Sequence, residues 1–76
     1  MNNVRRKKLD DISKTLDKAR DLLDEILDEE QDYLDSIPEN LCGSTRYEAA
    51  EEAVDNIESA IDCIDDAIEY IDAASN

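Results

Sequence analysis

The chain has no histidine, one glycine, one proline and two cysteines, and beyond its first twenty positions it has a single basic residue, Arg46. Each scarcity excludes something. Without histidine, the commonest general base and metal ligand is missing. One glycine leaves no phosphate-cradling loop and no calcium loop of the Asp-x-Asp-x-Asp-Gly kind. The Glu-x-x-His motif of di-iron helical bundles is absent, and no nucleophile has a base partner beside it in the sequence. We therefore expect neither catalysis nor a cofactor nor a metal site. No apolar run approaches 18 residues, so no membrane span is expected. The start, Met1 to Lys8, is basic, but no apolar stretch follows it as in a secretory signal. The expected compartment is the cytoplasm.

Cys42 and Cys63 are too few for a disulfide framework. If Cys63 lies on a helix that starts near Ser44, it sits ~30 Å along the axis from that start. A disulfide needs Cα atoms within ~7 Å, so both cysteines are expected to be free thiols.

What the chain does have is acid and apolar residues in regular order. Its 76 residues make one domain, with 41% hydrophobic and 39% charged residues. That is too apolar for a disordered acidic tail and suits amphipathic helices. Leu9, Ile12, Leu16, Ala19, Leu23, Ile26, Tyr33 and Ile37 follow a heptad spacing broken only by Glu30, with Leu22, Leu27 and Leu34 beside it. A second seam runs through Tyr47, Ala50, Val54, Ile57, Ile61, Ile64, Ile68 and Ile71. Next to it stand Ala53, Ala60, Ala67 and Ala74 at seven-residue intervals.

Between the seams, Pro38 disfavours helix at Ile37 and ends the first segment. Thr45 with Glu48 reads as a capping box, and Ser44 is a second cap candidate. The Pro-Glu-Asn-Leu stretch has room for one helical turn, with Leu41 plugging the gap between the arms. Tyr33 and Tyr47 flank the loop, either packed together or exposed as binding hot spots. The expected fold is all-α: an antiparallel, coiled-coil-like hairpin with helix 1 about 3–36, a loop at 37–44 and helix 2 about 45–74. One hairpin interface does not cover the second helix. Ala53, Ala60, Ala67, Ile61, Ile64 and Ile68 are thus the expected packing face of a homodimeric four-helix bundle, or else a docking face for a target.

The charge is unevenly spread. Residues 1–20 carry a net +4 and residues 21–76 a net −18, giving −14 in all. In a hairpin the basic start can face Asp65, Asp66, Glu69 and Asp72, beside the negative end of the second helix. Asp21, Glu25, Asp28, Asp32 and Asp35 line one face of the first helix. Glu51, Asp55 and Glu58 begin a similar row on the second. Like charges at such spacing each cost a helix roughly 0.2–0.5 kcal/mol, and mixing signs would avoid it. Acid runs are commonly mere solvent-facing surface. The functional alternative is mimicry of nucleic-acid phosphates. A net −18 over ~45 Å of hairpin is about two-thirds of duplex charge density, taken as one charge per ~1.7 Å. Either way, direct binding to nucleic acid or to an anionic membrane is disfavoured, and basic partners are favoured.

The turn Pro38-Glu39-Asn40-Leu41, then Gly43-Ser44 and Tyr47-Glu48, resembles that of a group of short acidic helical-hairpin proteins from bacteria and their phages. The likeness covers about the second half of the chain and implies the hairpin without implying an activity. In general character the chain is also similar to phage-encoded DNA-mimic inhibitors of the anti-restriction and anti-CRISPR kind. That second likeness rests on size, acidity and carboxylate rows, so it transfers no residue roles. It implies a basic partner such as a Cas or restriction nuclease in the host bacterial cytoplasm. The other reading is a non-catalytic assembly module that pairs through its Ala/Ile face.

Overall fold

A computed structural model describes residues 1–41 and 43–76. Two long helices, α1 (Asn3–Ser36) and α2 (Thr45–Ser75), are joined by a loop that contains one 3-10 turn, Glu39–Leu41. Ser13 and Arg20 meet Asp72 and Asp65, while Tyr33 meets Arg46. The start of α1 thus lies beside the end of α2, and the helices are antiparallel. The hairpin extends 59 × 15 × 13 Å.

Local chemistry fixes the ends. Asn2 caps α1: its side-chain oxygen accepts the Arg5 N–H at 2.9 Å. At the other end Ile37 is extended, as a residue before proline should be. Its N–H returns to the Leu34 carbonyl at 3.2 Å. The Pro38 carbonyl accepts the Leu41 N–H at 2.8 Å, and the Leu41 carbonyl accepts the Ser44 N–H at 3.0 Å. Ser44, not Thr45, caps α2. Its Oγ accepts the Tyr47 N–H at 3.2 Å and its carbonyl the Glu48 N–H at 3.0 Å. The cap therefore falls on the second candidate, Ser44, rather than on Thr45, because Ser44 keeps the extended backbone of a cap while Thr45 is already helical. Leu41 is exposed and does not plug the arms. The expectation for Cys42 lies outside the described residues, and Cys63 is a free, exposed thiol.

On α2 the seam expected from the sequence is the one that packs: Ala50, Val54 and Ile61 are buried, and the other seam members are partly buried. On α1 the outcome differs. Leu9, Leu16, Leu23, Glu30 and Ile37 do turn inward, but their companion row is Ser13, Arg20, Leu27 and Leu34. The expected companions Ile12, Ile26 and Tyr33 are exposed. The two candidate rows flank the shared one symmetrically, so tertiary pairing decides. Ser13 Oγ lies 3.3 Å from an Asp72 carboxylate oxygen, and the partly buried Arg20 pairs with Asp65. Leu27 and Leu34 then fill the seam on that side.

Truncating the most central of the buried side chains should be costly. Ile61→Ala is expected to lose roughly 2–5 kcal/mol in chemical denaturation, against a change within about 0.5 kcal/mol for the exposed Ser59→Ala. Gly43 has no positive φ, and a Cβ there would meet nothing within 4 Å. Gly43→Ala should therefore be neutral or raise stability by up to about 1 kcal/mol by restricting the unfolded chain; a clear loss would show that the glycine is required.

Candidate protein-binding surfaces

Two sets of contacts label the two long sides of the hairpin. Ser13 and Arg20 meet Asp72 and Asp65 on one side. On the opposite side Arg46 Nε donates to the Tyr33 hydroxyl at 2.6 Å, and its guanidinium lies 5.6 Å from the ring centre. Residues seven apart share a row along a helix, so each contact assigns a whole row. Tyr33 brings with it Ile26, Ala19 and Ile12. Arg46 brings Ala53, Ala60, Ala67 and Ala74.

The side marked by Asp65 and Asp72 is acidic. Glu51 and Glu58 continue the Asp65–Asp72 row, and Asp55 lies in the adjoining row of α2. Asp21, Asp28 and Asp35 flank the same side from α1, while Glu25 and Asp32 point to the back of that helix. All eight carboxylates singled out from the sequence are exposed. The structure thus brings them into two stripes on the loop half, one per helix, with Asp24 and Gln31 of α1 between them. Gln31 donates to Asp35 at 3.1 Å. Among the described residues no group of three or more carboxylates or thiols converges as a bound ion would need, and no pocket opens.

The basic N-terminal cluster neutralises less of α2 than its position allows. Lys7 and Lys14 pair within α1, with Asp11 at 3.4 Å and Asp10 at 3.0 Å. Among the described residues Arg20 is the basic side chain that crosses to the α2 acids. Its hydrogen bond to Asp65, then the charge of that carboxylate, raise the Arg20 pKa above its ordinary value. Asp10 raises Lys14 in the same way, and the Tyr33 hydroxyl raises Arg46.

The opposite side is apolar. Ile12 is 48% exposed, Ile26 47%, Leu22 60% and Tyr70 78%. Leu22 adjoins the Ile12–Tyr33 row, and Cys63 and Tyr70 adjoin the alanines. Of the residues assigned to the dimer face from sequence, Ala53, Ala60 and Ala67 stand on this side, partly exposed, whereas Ile61 is buried against α1 and Ile64 and Ile68 are partly covered. The contribution of α1 to this side was missed, because its apolar residues had been assigned to the core. The Arg46–Tyr33 clasp was missed too; the one basic residue beyond position 20 was its signal.

No family model, no curated protein and no solved structure matches the chain. No helix among the described residues is long and apolar enough to cross a membrane.

Repulsion between 22 acids and only 8 basic residues works against the fold. Raising NaCl from 0.05 to 0.5 M shortens the Debye length from about 14 to about 4 Å. The melting temperature should then rise by about 5 °C or more, read by circular dichroism. A fall would mean that the ion pairs outweigh the repulsion.

Proposed function

We propose that this chain is a non-catalytic, acidic protein-binding inhibitor whose carboxylate rows stand in for nucleic-acid phosphates. It occupies the basic channel of a nucleic-acid-binding protein, such as a bacterial defence nuclease of the restriction or CRISPR kind. The observation that carries this reading is the segregation of charge. The eight assigned carboxylates gather on one side and along the back of α1, exposed, and among the described residues Asp21 is the one of them that lies within ion-pair distance of a cation, Arg20, where a merely soluble hairpin would interleave both signs. A basic groove shaped for a duplex accepts a rod of like sign, and releases its own counterions on doing so. Asp21, Glu25, Asp28, Asp32, Asp35, Glu51, Asp55 and Glu58 are the residues assigned to that contact.

The test begins with immobilised protein and bacterial lysate at physiological salt, eluted with duplex DNA. A nuclease or other nucleic-acid-binding protein should come off with DNA or with added salt. A folded variant with Asp28, Asp32, Glu51 and Asp55 changed to Lys should lose that capture by at least about tenfold. Capture that ignores both DNA and the reversals would remove the reading.

The second reading is an assembly module, and a specific observation favours it: an apolar side left open along the length of the hairpin. Under that reading acid reversals change little, and Ala60→Glu abolishes function.

A further inference from the structure

We propose that the apolar side is covered by a second copy of this chain, laid face to face and end for end. The twofold axis passes at the level of Leu22 and Cys63. The inference does not depend on what the acidic side binds.

Charge first limits the occupant. In the rows that form this side, the only acid is Glu29, although the chain has 22. The basic residues there, Arg5, Lys8 and Arg46, lie towards its ends. A basic partner would find almost no carboxylate to meet, and an anionic lipid surface would meet a carboxylate rim. A second copy presents the same neutral, apolar strip.

Size fits as well. A side 59 Å long and 15 Å wide offers an area on the order of 900 Å², close to the ~800 Å² per partner of a stable interface. Among the described residues the hairpin alone buries only Ala50, Val54 and Ile61, so a second layer supplies the core that a chain this short lacks.

Direction follows from two independent features. The first is the distribution of charge along the axis. The loop half, residues 21–58, carries a net −13, while residues 1–20 carry +4. Laying two copies the same way round would set the −13 halves together. Reversing one sets the basic start of each α1 along the acidic second half of the other α1. The second feature is the position of the rows. On α1 the row from Ile12 to Tyr33 is centred beside Leu22. On α2 the row from Ala53 to Ala74 is centred beside Cys63. The Ser13–Asp72 and Arg20–Asp65 contacts fix which residues of the two helices lie level, and they put Leu22 level with Cys63. One axis therefore serves both helices. It stacks α1 on α1 and α2 on α2, sets Ala60 against Ala67 of the second copy, and brings the two Cys63 side chains together. Alanines on facing helices allow the close approach this needs.

The full chain with Cys42→Ser leaves Cys63 as the only thiol. Sedimentation equilibrium should give twice the 8.6 kDa chain mass. A mild oxidant should then join the copies through Cys63 in high yield, within the ~4.4–6.8 Å Cα separation that a disulfide takes. Leu22→Asp, at an exposed position that leaves the hairpin helical, should weaken association by roughly 100-fold or more and abolish the cross-link. A monomer at every concentration up to about 0.1 mM would overturn the proposal. So would a dimer that leaves Cys63 unlinked, since copies lying the same way round stack α1 on α2 and keep the two thiols apart. Dimerisation undiminished by Leu22→Asp would show that a different face is used.

Discussion

The fold depends on one line of contact, the seam between α1 and α2. A hairpin has no second layer, so each helix excludes water along a single stripe. Among the described residues three, all on α2, are buried there, and no large side chain is wholly enclosed. Every other property follows from how little that seam covers. The acids of both helices must stay outside it. The polar pairs at its edge, Arg20 with Asp65 and Ser13 with Asp72, decide which way α1 is rolled. The roll in turn decides which apolar residues are left facing water.

That roll separates what was legible in the sequence from what was not. The hairpin and its helix ends followed from heptad spacing, Pro38 and the Ser44–Thr45 region, all local signals. The seam of α2 was legible because its isoleucines fall on one row pair, with carboxylates along one flank and only small alanines along the other. The seam of α1 was not, because apolar residues occupy rows on both sides of the Leu9–Leu23 line. Choosing between them takes the carboxylates of a helix some 50 residues away, which no local pattern shows. The same gap hides the open side, since heptad spacing alone puts Ile12 and Ile26 in the seam and leaves Tyr33 either packed or exposed. The exposed carboxylate rows could be read directly, because a two-helix protein has one seam, and charged residues away from it face solvent.

The two long sides divide the labour that a larger protein assigns to core and surface. One concentrates charge at a repeated electrostatic cost. The other keeps almost all charge away and accepts exposed leucine, isoleucine and tyrosine, which is uncommon over so much of a monomer's surface. Neither feature is what stability of an isolated hairpin would select, and together they give a rod with two chemically distinct faces.

Cross-helix contacts at three levels also order the molecule in time. Tyr33 and Arg46 are 13 residues apart in sequence, Arg20 and Asp65 are 45 apart, and Ser13 and Asp72 are 59 apart. The entropy of closing a loop grows with its length, and contacts near in sequence form fastest. The clasp beside the turn therefore closes first, and pairing runs outward like a zip towards the termini. Opening runs the other way. The ends of α1 and α2 separate before the turn does, so the basic first residues are the earliest to be exposed to exchange or to a protease.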